Sequence, residues 1–191
     1  LKGYCDIRVP QIQEIKSPSR LKHPEETWSY VCLFPQGIYP NRFLDYPSIR
    51  NRIIFWLSWT LNLKGFLHWG YNHWRVWGGV PVNVPISPWT DCTGASIYCT
   101  DTQPLPAGDP HIVYPGRNSI QSSIRWEVVR KGLEDYELLR LLEKAVEEPR
   151  RKSAPAVTRG RKLLDFISRT VAPDPARHTR DDGLLLRTRL E

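Results

Sequence analysis

The 191-residue sequence predicts an α/β domain that finishes in a helical tail, and two observations carry that expectation. In the first half of the chain, β-branched and aromatic runs flank a helical repeat in the order strand, helix, strand, with short joins, which implies parallel pairing. From Ser122 onward only helical repeats occur, so alternation gives way to helices alone.

Residues 4–9 form a short β-like run that Pro10 ends, and residues 11–16 begin a helical turn. A polar stretch leads to residues 28–33, a second strand stopped by Pro35 and Gly37. Pro47 sits at a first-turn position that a helix tolerates, and Ile49, Ile53, Trp56, Leu57, Thr60 and Leu61 recur at helical spacing as far as Asn62. An amphipathic helix of about four turns is expected there. Lys64-Gly65 ends it, and residues 66–70 follow as a third strand. Residues 71–108 carry prolines, glycines and three tryptophans without any period, a long loop of the kind that carries function or wraps a site. Residues 111–114 offer one more short strand. Ser122 or Ser123 then caps a helix running to about Glu148, with Ile124, Val128, Leu133, Tyr136, Leu139, Leu142 and Val146 as its expected buried face. Residues 155–171 and 179–191 give two further helices, the last capped by Thr179 or Asp181.

With 40% hydrophobic and 25% charged residues the chain has the composition of a globular domain able to bury a core. Its net charge of +7 raises nucleic acid as a partner, and the distribution argues against it. Residues 1–115 hold 10 basic and 8 acidic side chains, whereas residues 116–191 hold 17 and 12, so the excess sits in the helical tail. There the signs are interspersed, as a solvated helix face has them. No run of the roughly 18 apolar residues that a membrane helix needs occurs, and no charged-then-apolar leader is visible, which leaves the compartment open. Cys5 and Cys32 lie in strand-like runs and read as buried thiols, while Cys92 and Cys99 flank a polar loop and would bridge in an oxidising compartment. The five histidines and four cysteines lack the paired spacing of a zinc site, and Gly70, Gly78 and Gly79 lack the spacing of a phosphate loop, so neither metal nor cofactor is expected.

In parallel α/β architectures ligands bind at the carboxyl ends of the strands. That rule selects Tyr30, Tyr39, Asn41 and Asp45 after the second strand, and Trp69, Tyr71, Asn72, His73 and Trp74 after the third. Aromatic faces stack on the C–H faces of pyranose rings, and amide, imidazole and phenol groups hydrogen-bond hydroxyls or an acetamido group. The expected carbohydrate-facing residues are therefore Tyr30, Tyr39, Asn41, Trp69, Asn72, His73 and Trp74, with packing beneath a rim as the competing role for Trp69 and Trp74. Asp45 is expected to cap the helix that starts at Pro47, and Trp56, Trp59 and Trp126 to be core. A glycosidase usually needs two carboxylates close together. The adjacent pairs Glu25-Glu26, Glu134-Asp135, Glu147-Glu148 and Asp181-Asp182 all fall in polar loops or on helices, where capping and salt bridges account for them, so no catalytic residue is assigned.

The blocks Glu26-Thr27-Trp28-Ser29-Tyr30-Val31-Cys32, Tyr39-Pro40-Asn41-Arg42-Phe43-Leu44-Asp45-Tyr46-Pro47 and Gly65-Phe66-Leu67-His68-Trp69-Gly70-Tyr71-Asn72-His73-Trp74 resemble, in order, the C-terminal part of the catalytic domain of glycoside hydrolase family 123. Gly108-Asp109, Tyr114-Pro115-Gly116, residues 123–127 and residues 132–137 continue the resemblance, which spans roughly residues 3–190. It implies the C-terminal portion of a (β/α)8 barrel over residues 1–148 and a helical tail over residues 149–191. It also implies exo-acting β-N-acetylgalactosaminidase chemistry with retention. In that mechanism the substrate's own acetamido oxygen attacks the anomeric carbon, an Asp steadies the oxazolinium, and a neighbouring Glu acts as acid and then base. The family's Asp-Glu pair lies upstream of the Trp-Ser-Tyr block, so this chain is expected to begin after it, and its last helix to run on past Glu191. The alternative is a barrel that binds carbohydrate without catalysis.

Overall fold

A computed structural model describes residues 4–15, 26–75, 85–93, 105–148 and 153–191. Three strands, β1 (Ile7–Arg8), β2 (Glu26–Tyr30) and β3 (Gly65–Leu67), form a parallel sheet in that spatial order. Ile7 pairs with Glu26, Trp28 with Gly65, and Tyr30 with Leu67, so all three carboxyl ends lie on one side. Helix α1 (Ile49–Thr60) connects β2 to β3, which makes the expected parallel βαβ unit. A short hairpin of β4 (Tyr114–Pro115) and β5 (Ile120–Gln121) follows, and then α2 (Ile124–Glu147), α3 (Ala154–Phe166) with a π-helical turn over Ile167–Val171, and α4 (Asp182–Leu190).

The strands differ from expectation in place. β2 starts two residues earlier than the apolar run and stops at Tyr30, and residues 111–113 form no parallel strand. His111 instead makes an antiparallel bridge to Asn72, and Tyr114 joins the hairpin. Along β2 the polar residues Thr27 and Ser29 are buried, whereas Trp28 and Tyr30 on the opposite face stay half-exposed.

Helix α1 is not amphipathic as expected but buried on nearly every side, including Asn51, Ser58 and Thr60. Ile, Phe, Trp and Leu all occur within it, and packing against both the sheet and α2 leaves little of it to water. Trp56 and Trp59 lie in the core as expected, with Trp126 packed against it half-buried. The helix begins at Ile49, and its N-cap position is Ser48, so Asp45 is not the cap. At the other end Leu63 N–H donates to Ser58 O and Asn62 N–H to Trp59 O, with Asn62 at φ 55°. This is a Schellman turn, in which an asparagine occupies the left-handed position.

Helix α2 is capped as expected, with Ser123 Oγ accepting the Trp126 N–H, and of the expected face Leu139 and Val146 are buried and Val128, Tyr136 and Leu142 half-buried, but the rest of the buried face is turned away from it. Ile124 is 76% exposed and Leu133 50%, while Arg125, Val129, Gly132, Asp135, Leu139, Glu143 and Val146 are buried. Gly132 sets the crossing with α1, because a Cβ there would sit 2.4 Å from Phe55 Cδ2. Asp135 sets the rotation: its carboxyl accepts from Arg52 Nε at 2.6 Å, Trp56 Nε1 at 2.8 Å and Arg189 Nε at 2.6 Å. Close backbone approach and a satisfied buried acid thus override the leucine period.

The tail helices join the same core through Ile167, Val171 and Leu185. Asp181 caps α4 by accepting the Leu184 N–H. Cys32 is buried, while Cys5 is only half-buried, because β1 lies on the surface; both carry free thiols. Glu25 and Cys99 lie outside the described residues, and with them the Cys92–Cys99 bridge and half of one acidic pair. Glu26 is the first residue of β2 and accepts the Trp28 indole N–H at 2.7 Å, a strand position rather than the expected loop. Among the described residues no helix is long and apolar enough to cross a membrane.

Candidate functional site

The carboxyl end of β3 runs directly into a pocket of about 620 Å³. Trp69, Asn72, His73 and Trp74 line it together with Tyr71 and Arg75, and Ile86, Ser87 and Pro115 close the other side. Four of the seven expected carbohydrate-facing residues are thereby brought to one cavity. Among the described residues no carboxylate lines it.

Hydrogen bonds fix the two indoles by their edges. Trp69 Nε1–H donates to Asp109 Oδ2 at 3.0 Å, and Trp74 Nε1–H donates to Val113 O at 3.1 Å. The His73 ring lies 5.4 Å from that of Trp69, and burial lowers its pKa, which keeps it neutral at physiological pH. Edge-anchored, half-buried rings beside an exposed amide and a neutral imidazole offer apolar faces and hydrogen-bonding groups in one cavity.

The other three expected residues lie elsewhere. Tyr30 ends β2, and burial, followed by the neighbouring Cys32 and Asp109, pushes its phenol pKa up, so it is a proton-bearing hydroxyl at neutral pH. Tyr39 is half-buried, and its carbonyl accepts a 3.4 Å bond from Arg50. Asn41 is fully buried, and its side chain is committed to backbone: Nδ2 donates to Cys32 O and Pro35 O, both at 2.8 Å, and Oδ1 accepts Arg42 N–H. Asn41 thus frames the turn after β2.

Behind the pocket stands a buried polar layer that sequence reasoning missed. Arg42 Nη2 donates to Gly70 O at 2.7 Å, and Arg125 donates to the carbonyls of Arg42, Gly108 and His111 at 2.6 to 2.8 Å. Two guanidiniums therefore pin the loop after β3 to the turn around Asp109. Gly108 permits this, for its φ is +81° and a Cβ there would lie 2.6 Å from Arg125 Nη1. Burial and then the like charge of Arg125 draw the Arg42 pKa down to about 9, which leaves it charged at neutral pH.

His68 and Asp109 sit in this layer with side chains 3% and 0% exposed, Nε2 lying 3.3 Å from Oδ1. Gly70 N–H donates to His68 Nδ1 at 2.9 Å, so the ring proton belongs on Nε2, facing Asp109. Burial lowers the His68 pKa to about 4, chiefly against the opposing pull of Asp109, and burial followed by Arg125 and Arg42 brings His111 to about 4. Both rings are neutral at physiological pH. The available signal in the sequence was Gly108-Asp109-Pro110, a turn with an acid at the end of the long loop; Arg42 and Arg125 had none, since backbone carbonyls are their partners.

Among the remaining acidic residues, Asp135 is the inter-helix anchor, Glu134 pairs with Arg130 and Lys131, and Asp181 is a cap. Among the described residues no group of His, Cys, Asp or Glu is arranged to hold a metal ion. No curated protein matches the chain. Residues 3–142 match the family described as glycoside hydrolase 123, catalytic domain, a span that begins before β1 and ends within α2 and so contains both the pocket and the layer behind it. The chain belongs to the glycoside hydrolase 123 catalytic-domain family.

Proposed function

We propose that this chain is the C-terminal portion of a glycoside hydrolase that removes terminal β-linked N-acetylhexosamine, with N-acetylgalactosamine as the type substrate. The observation that carries the reading is the pocket at the carboxyl end of β3, where Trp69 and Trp74, held by their N–H edges, stand beside Asn72 and His73. Trp69 and Trp74 stack on the pyranose, and Asn72 and His73 bind its hydroxyl or acetamido groups. In this reading the Asp-Glu pair is supplied by chain upstream of Leu1. With that pair in place, retention follows from attack by the substrate's acetamido oxygen, without a metal or cofactor.

A (β/α)8 barrel is the architecture that accommodates these parts. The three strands are parallel, in sequence order, and joined in part by a βαβ crossover, and the outer edges of β1 and β3 have no strand beside them among the described residues. Residues 1–148 then belong to the barrel and 149–191 to a helical tail docked on it.

Release of 4-nitrophenol from its N-acetyl-β-galactosaminide and N-acetyl-β-glucosaminide by the full-length parent, with the 191-residue chain alongside, tests the reading. Turnover by the parent and none by the chain is expected; parental rates from the chain alone would refute an upstream acid pair. Absence of an Asp-Glu pair upstream would favour the non-catalytic carbohydrate-binding alternative.

A further inference from the structure

We propose that Asp109 is a positioning residue of the sugar site, acting through the indole of Trp69; the inference rests on the carbohydrate reading above. Asp109 is 0% exposed and does not line the pocket, so it reaches no substrate itself. Its Oδ2 accepts the Trp69 indole N–H at 3.0 Å, and that ring is pocket wall. The contact spans 40 residues of sequence and joins two loops that no regular sheet holds together.

The backbone around both partners is clamped. Arg42 holds the Gly70 carbonyl, Arg125 holds those of Gly108 and His111, His73 N–H donates to Pro110 O at 3.1 Å, and Ile112 N–H to Tyr71 O at 2.9 Å. With the two loops fixed, the Asp109 carboxyl decides how the Trp69 ring is turned about its own side-chain bonds. A stacking platform works only when its face is presented to the sugar, and preorganising it spares the cost of ordering it on binding.

His68 completes the arrangement rather than forming a catalytic dyad. Its Nδ1 accepts the Gly70 N–H, its Nε2 lies 3.3 Å from Asp109 Oδ1, and its side chain is 3% exposed and outside the pocket wall, so the ring does not reach a substrate there. The Asp109 oxygen that accepts the indole N–H is Oδ2, and Oδ1 is the one that faces His68. The ring also lies nearly parallel to that of Trp69, at 16° and 6.3 Å between centroids, and so backs the platform.

The test is a double-mutant cycle on N-acetylgalactosamine binding in the full-length protein, read with nitrogen–proton spectra of the indoles. Trp69→Phe keeps a ring but removes the N–H, and its missing peak identifies the Trp69 resonance. Asp109→Asn is expected to move that resonance and to weaken sugar binding about tenfold. Trp69→Phe weakens it by a similar factor, and the double variant is no weaker than either single one, because both changes remove one interaction. An unmoved resonance, or a double variant weakened by the product of the two effects, would overturn the proposal. Should Asp109→Asn fail to fold, His68→Gln takes its place: it leaves Asp109 present but loosened, and an unmoved Trp69 resonance counts against the proposal in the same way. If the unaltered protein binds no sugar while the resonance still moves, the carbohydrate reading fails and the Asp109–Trp69 coupling stands.

Discussion

Arg189, in the last turn of α4, donates its Nε–H to Asp135 in the middle of α2 at 2.6 Å. The same carboxyl takes Arg52 and Trp56 of α1, so one acid that is 1% exposed ties three helices together. Removing one partner from a buried, hydrogen-bonded ion pair typically costs about 3–5 kcal/mol. Asp135→Ala is therefore expected to lower unfolding free energy by about that amount in urea titrations. A loss below about 1 kcal/mol, the range of exposed pairs, would show that the anchor contributes little.

The face that α2 buries can be tested by comparing two leucines. Leu139 is 6% exposed and Leu133 50%. Leu139→Ala is expected to cost about 2–4 kcal/mol and Leu133→Ala clearly less. Gly132→Ala should also destabilise, by about 1–3 kcal/mol, despite the better helix propensity of alanine, because its methyl meets Phe55. If Gly132→Ala stabilised the protein instead, the close α1–α2 crossing would be wrong.

Acid should weaken the layer behind the pocket in a defined window. His68 and His111 have folded pKa values of about 4, below the usual value of 6.5, so the unfolded chain takes up their protons first as pH falls. Their contribution is whole above about pH 6.5, drains away towards pH 4 and is gone below it, at up to about 1.4 kcal/mol per pH unit for each ring. Urea midpoints measured from neutral pH down to about pH 4.5 should fall, and His111→Gln should flatten the fall. A midpoint that stays level over this range would contradict the buried neutral imidazoles.

Within the pocket, Trp74→Ala should weaken sugar binding and leave the Trp69 resonance nearly in place, since Trp74 is anchored separately through Val113 O. Asn41→Ala should behave differently. It strips two backbone carbonyls of their donor in a fully buried turn, so a loss of stability of about 1–3 kcal/mol is expected before any change in affinity. Calorimetric titration with N-acetylgalactosamine, paired with thermal unfolding, separates the two.

The βαβ unit was legible because strand and helix periods and short joins are local signals, and the strand-end rule selects Trp69, Asn72, His73 and Trp74, which line one pocket. What stayed hidden depends on partners distant in sequence. The buried face of α2 follows Gly132 and Asp135, whose partners Phe55, Arg52 and Trp56 sit on another helix. Arg42, Arg125 and Asp109 are held by carbonyls and an indole from other loops, and carbonyls leave no trace in residue identity. Asn41 met the positional rule for a ligand contact, yet its amide serves the turn after β2.

The central claim, that the pocket after β3 receives a 2-acetamido sugar against Trp69, is tested most directly by saturation-transfer NMR on the 191-residue chain with N-acetylgalactosamine and galactose. Strong transfer to the acetyl methyl and ring protons of N-acetylgalactosamine is expected, with weaker transfer to galactose and loss of both in Trp69→Ala. Equal transfer to the two sugars, or transfer that survives Trp69→Ala undiminished, would contradict it.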